Sequence, residues 1–344
     1  MSGREIQEYT PKNKTGADVW YQISPSLIPS QIVDAVKTAP LKDVFSVTDD
    51  VTLSTQVLRC KSLVFNAKGR LIWAFPDVSN LGGFIALAAD RLVFNAPNQL
   101  NELAQLVLQP PVTSPELRGT NGQPGAQGWM SGQADGTDGH KGNPGNRGAD
   151  GGTFDYPTVL IFYNEIAINV ANPSIVPAAR LIGQGLAGGE GGTGGKGGQG
   201  GHGATGTGGE RDCLLGVCVC SGGPGAGRNG GDGGPGGRGG DGGRGGNGST
   251  FVFVGAASQT TKIEKLEFSV LGGKAGHYGQ PGAPGVGGLG GGGGSKPFEC
   301  IRGGDPGDDG HPANPPSLGR GDVKADGIDG SIMLAIRDNH DLFT

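Results

Sequence analysis

The chain has 344 residues, 34% of them hydrophobic and only 6% aromatic, with a net charge of −5. With no basic block the balance excludes a nucleic-acid footprint, and no apolar run approaches the roughly 18 residues of a membrane span. Glycine is the outlier at 73 residues, beside 23 prolines, far above globular usage but well short of the third of all residues that a pure collagen needs.

The N-terminal stretch MSGREIQEYTPKNKTG has no apolar core of the signal-peptide type. A protein of this kind that works outside the cell is expected to leave by another route, to ride on a virus particle, or to have lost a leader. Residues 1–45 read as a cap or attachment segment, with SQIVDAVKT (30–38) predicting one short helix capped by its serine.

Residues 46–118 begin a strand-repeat base. Four segments align without gaps: KSLVFNA (61–67), DRLVFNA (90–96), NEIAINV (164–170) and EKLEFSV (264–270). Their period of two predicts strands, with Leu63/Phe65, Leu92/Phe94, Ile166/Ile168 and Leu266/Phe268 inward. Most follow another apolar strand (84–88, 159–163, 251–254), and 332–336 begins a last copy within a final segment, 331–344. Stacked copies of a two-strand unit bury a face that one copy cannot. The pattern resembles a parallel β-helix; a sandwich of antiparallel hairpins gives the same alternation. An uncapped solenoid end could join another subunit.

Between base strands at 153–184 and 249–272, residues 119–330 hold glycine at every third position in six tracts: 119–128, 136–151, 185–209, 222–248, 273–294 and 303–330. Three short tips, 129–135, 210–221 and 295–302, turn each outgoing tract into a returning one. Period three fits polyproline II geometry, a helix with no internal hydrogen bonds. Two bare faces in three let backbones approach and pair, the logic of a polyglycine II bundle. The rivals are a flexible linker and a collagen triple helix, which demands an unbroken Gly-X-Y run. Residues 188–203 and 230–248, mostly Gly-Gly-X, are expected at the centre, and 136–151 at the periphery. The charged X positions, such as Glu190, Lys196, Arg238 and Asp241, read as a solvated edge.

Four of five cysteines lie in tips: Cys213, Cys218, Cys220 and Cys300. The tips also carry Trp129, Met130, Leu214, Leu215, Val217, Val219, Phe298 and Ile301. Two readings stand: a disulfide-stapled mini-core capping the bundle, or an exposed contact surface. Four cysteines allow three pairings; C-x-C spacing at 218–220 fits zinc poorly. Cys60, beside a base strand, reads as a lone buried thiol.

Phosphate-loop motifs are absent, and the RTX calcium repeat lacks its apolar residue. Asp305/Asp308/Asp309 and Asp326/Asp329 read as solvated loops, and Arg320-Gly-Asp322 as coincidence. Of the polygalacturonase-like motifs only Asp49-Asp50 and Gly201-His202-Gly203 occur, neither in a suitable place. No enzyme activity, cofactor or metal is expected.

The glycine tracts resemble those of phage long-tail-fibre tip adhesins with polyglycine II domains, and of bacterial and fungal collagen-like surface proteins. The resemblance covers about 119–330 and carries no functional residue across. It implies receptor contact through the turns, here 129–135, 210–221 and 295–302. Springtail-type antifreeze proteins are also polyglycine II bundles, but the X positions depart from a flat face of small side chains. The expected fold is all-β or irregular: a solenoid or sandwich base with about six polyglycine II helices. The expected role is a non-catalytic extracellular, cell-surface or virion-associated protein binding a receptor or glycan. A filament or coat subunit that polymerises through its solenoid ends is the alternative.

Overall fold

A computed structural model describes residues 6–9, 20–74, 83–95, 103–111, 114–128, 142–143, 145–169, 177–315 and 317–344. Among the described residues the fold is mostly sheet, with two short helices. In chain order the elements are β1 (Ile6–Glu8), β2 (Trp20–Ile23), α1 (Ser30–Thr38), β3 (Leu41–Val47), β4 (Asp50–Leu53), β5 (Val57–Phe65), β6 (Arg70–Ala74), β7 (Phe84–Asn95), β8 (Ala104–Gln109), β9 (Thr158–Asn169), β10 (Ala179–Ile182), β11 (Glu210–Leu214), β12 (Val217–Gly222), β13 (Phe251–Gly255), α2 (Thr260–Ile263), β14 (Leu266–Ser269) and β15 (Ile332–Ile336).

From β3 to β10, and again from β13 to β15, successive strands alternate between two sheets. The larger has the order β1-β2-β15-β13-β9-β7-β5-β3 and the smaller β14-β10-β8-β6-β4. All pairings in both are parallel except β1 with β2, which argues against antiparallel hairpins. The facing sides enclose one apolar core that contains Leu63, Phe65, Leu92, Phe94, Ile166, Leu266 and Phe268, with Ile168 packed against it.

Two sequence expectations need correction. The apolar stretch before each repeat is not a separate strand in β7 and β9, which run unbroken for 12 residues. The fourth segment, EKLEFSV, belongs to the other sheet: β14 pairs with β10, whereas Leu63, Leu92 and Ile166 stand in register in the larger sheet. Both sheets present alternate residues to one core, so period two cannot tell them apart. The sixth position of each segment could have. Asn66, Asn95 and Asn169 form a ladder, with Asn95 Nδ2 donating to Asn66 Oδ1 at 2.7 Å and Asn169 Nδ2 to Asn95 Oδ1 at 2.9 Å. The fourth segment has Ser269 there.

The helix at 30–38 forms, burying Ile32 and Val36, but its cap position is Pro29 and no side chain caps it. The N-terminal segment closes the far end of the base. β2 pairs in parallel with β15, and Trp20 packs edge-on to Phe268, so the last strand's outer edge is covered rather than open. Strand β3 already begins at Leu41. Buried Arg59 on β5 ties the ends together: Nε donates to Leu342 O at 2.7 Å, and the other nitrogens donate to the carbonyls of Lys37, Ala39 and Thr344. Cys60 is buried and free, and burial pushes its thiol up to about 12.

The glycine tracts are hydrogen-bonded to one another throughout their described lengths. Every third residue from Gly185 to Gly209 donates its N–H to the fifth tract. Every third residue from Gly225 to Ser249 donates to the third tract, and every third from Gly273 to Gly294 to the fourth. The first, third and fifth tracts lie side by side in one layer; the second, fourth and sixth return antiparallel in another. The third and fourth tracts each bond to four others, the first and sixth to two. The Gly-Gly-X composition of these central tracts has a direct cause: a Cβ on Gly192 would stand 1.9 Å from Thr120 O, and one on Gly240 2.0 Å from Ala149 O.

Proline placement follows the same rule. Among the described residues, about one N–H in three of the second, third and fourth tracts meets no neighbouring backbone, and about two in three of the first, fifth and sixth. Pro124, Pro235, Pro281, Pro284, Pro306 and Pro312 occupy such positions, where a missing donor costs nothing.

Candidate functional site

At the distal end, the second tip is a β-hairpin. β11 and β12 pair antiparallel, with Cys213 opposite Cys218 and Leu214 opposite Val217. Leu215 and Gly216 make the two-residue turn with φ of 53° and 84°, the left-handed geometry that two-residue hairpin loops need. Cys213–Cys218 staples the strands, and Cys220–Cys300 ties the hairpin to the third tip across 80 residues. Arg211 pairs with Glu299 at 3.4 Å on that same side. Paired as cystines, these four sulfurs carry no thiolate.

Strand alternation sends Asp212, Leu214, Val217 and Val219 to the opposite face. All are exposed, Leu214 at 77%; Leu215 and Phe298 reach 98% and Ile301 94%. The mini-core reading is therefore corrected: the disulfides form and Cys300 is buried, but the apolar side chains point outward. Two loops this short enclose too little volume for a core, and covalent bonds hold them instead. The expected tip residues Leu214, Leu215, Val217, Val219, Phe298 and Ile301 thus share the distal end. Trp129 and Met130, with the whole first tip, lie outside the described residues.

The stripe of X residues is not merely a solvated edge. Asp and Asn side chains there accept the N–H groups that no backbone takes. Asp150 Oδ1 accepts from Asp241 N at 2.8 Å, Asp241 Oδ1 from Asp322 N at 2.9 Å, Asp232 from His311 N at 2.9 Å and Asn229 from Asp308 N at 2.8 Å. The pockets of acid near the sixth tract do the same: Asp309, Asp326 and Asp329 each accept from the fifth tract. Composition showed charge at these positions but not the open donor beside it.

Asp241 is the most enclosed of them. The Asp322 N–H and the Lys324 ammonium, 3.0 Å away, lower its carboxyl to about 2, with Arg238 adding to the effect. Its stabilising share is present above the unfolded value of about 4 and is lost as pH falls toward about 2. Asp241→Asn keeps the acceptor but removes the anion that Lys324 meets, while Arg147 and Arg238 keep Asp150 and Asp322. We expect it to lower stability at pH 7 by about 1–2 kcal/mol, and the gap to the parent protein to close between pH 4 and 2 in denaturant titrations.

The remaining motifs are occupied structurally. Arg320 lies over the Tyr278 ring and Asp322 pairs with Arg238. Asp50 pairs with Arg70, and His202 Nδ1 accepts from Leu289 N.

No family profile and no curated relative matches the chain. Among solved structures, the nine-helix polyproline type II springtail antifreeze protein from Granisotoma rainieri aligns with 55% of this chain and 94% of its own, at 22% identity and a TM-score of 0.08. A score that low supports no argument about fold or function.

Proposed function

We propose that the protein is a non-catalytic extracellular or surface module: a β-solenoid base carrying six polyglycine II helices that present a disulfide-stapled apolar tip to a receptor. The carrying observation is the tip itself, where side chains that would ordinarily be buried stand 57–98% exposed on a covalently fixed scaffold. Exposed apolar patches of this kind mark interaction sites, and two disulfides suit an oxidising compartment. No helix among the described residues is long and apolar enough to cross a membrane. The strict three-residue hydrogen-bond spacing between tracts supports the polyglycine II reading, and the alternation of parallel strands supports the solenoid. A head-to-tail filament is less favoured, because β1 and β2 cover one end of the larger sheet.

The test is binding of the purified protein to a panel of cells and glycans, with the tips intact or replaced by Gly-Ser turns. We expect tip-dependent binding by a species of constant mass in light scattering. Long polymers with no binding would instead favour the filament.

A further inference from the structure

The edge left open by the distal hairpin indicates what the tip reads; this step rests on the tip being the binding surface. Among the described residues β11 and β12 form a two-stranded sheet of their own, so each has an outer edge with no described strand beside it. The two edges differ. β11 carries Glu210, Arg211 and Asp212, and charges of this kind blunt an edge. β12 reads VCVCSG, and its run 217–220 is uncharged, free of proline and regular in register. Its protections are its shortness and the register shift beyond Cys220; charge and proline are absent from 217–220.

The hairpin is also held ready. The Cys213–Cys218 bond fixes strand pairing beside the turn. Leu215, at the exposed apex, holds the left-handed φ of 53° that the two-residue turn requires. A pre-ordered tip also avoids much of the ordering cost of association.

Three kinds of partner could meet this surface. A bilayer would have to take up the unpaired N–H and C=O groups of β12 with no water to bond them. A glycan presents hydroxyls, which need convergent polar side chains, and the outward face of the hairpin offers only Asp212 among Leu214, Val217 and Val219. A polypeptide strand satisfies both demands at once: its backbone pairs with the edge, and its alternate side chains cover Val217 and Val219. We infer that the tip recognises an extended, uncharged polypeptide segment by adding it to β12 as a third strand.

The probe is the immobilised peptide acetyl-Thr-Val-Thr-Val-Thr-Val-Thr-amide, tested against the full chain. Two further versions are N-methylated at alternate residues, one in each register. The parent peptide is expected to bind, one methylated version at least tenfold more weakly, and Val219→Lys at least tenfold more weakly than the parent protein. Amides of 217–221 should exchange at least tenfold more slowly in the complex. Intact disulfides by mass and an unchanged circular dichroism spectrum show that the variant is folded. Equal binding of all three peptides overturns the inference. So does failure to bind the peptide; where cell binding still depends on the tip, the tip reading stands and the strand reading falls. Cell binding indifferent to tip replacement sinks the tip reading itself.

Discussion

Replacing Gly240 with alanine is expected to destabilise the glycine region by about 3 kcal/mol or more, the upper end of what overpacking costs. The added methyl would stand 2.0 Å from Ala149 O and 2.6 Å from its carbonyl carbon. Neither atom belongs to a flexible side chain. Ala149 O is itself held, accepting from Gly192 N at 2.8 Å, and Gly240 N donates to Gly192 O at 2.8 Å. Relief requires parting three tracts, which breaks further bonds on both sides. Gly192→Ala should behave alike, since its methyl would meet Thr120 O at 1.9 Å. Gly223→Ala is the control: nothing lies within 4 Å, and a change within about 0.5 kcal/mol is expected. Denaturant midpoints of the three variants check this, and equal midpoints would contradict it.

The second large effect concerns the tip. The Cys220–Cys300 bond closes a loop of 80 residues, and by the chain-entropy relation it removes about 4.5 kcal/mol of unfolded-state freedom; Cys213–Cys218, five residues apart, removes about 2 kcal/mol. Cys220→Ser with Cys300→Ser should therefore lower stability roughly twice as much as Cys213→Ser with Cys218→Ser. The first pair should also detach the Arg211–Glu299 side of the hairpin from the third tip and so weaken tip-dependent binding. Equal losses from the two pairs would show that the third tip is held by something other than this bond.

Much of this was legible in the sequence, for identifiable reasons. Period two marked the inward residues of the base correctly, because a strand exposes alternate side chains to one core whichever sheet it joins. The same indifference grouped EKLEFSV with three segments that belong to the larger sheet. Glycine content placed 188–203 and 230–248 at the four-neighbour positions, because only a bare Cα tolerates backbone on both sides. Three features were hidden. WYQI (20–23) is too short to announce a strand, and its pairing with β15 is set by residues over 300 positions away. Aspartates at X positions look solvated until a neighbouring tract's free N–H is seen beside them. At the tip, apolar composition alone could not separate a small core from an exposed surface; the hairpin register, which sends Val217 and Val219 away from the cystines, separates them.

The claim on which the rest depends is that the glycine tracts are ordered structure and not linkers. Amide hydrogen exchange on the intact protein tests it most directly. We expect slow exchange at two of every three residues of the central tracts, including Gly188 and Gly189, Gly191 and Gly192, Gly239 and Gly240, and Gly242 and Gly243, with fast exchange at exposed X positions whose N–H has no partner. Uniformly fast exchange across 185–248, at rates of an unstructured chain, would contradict it.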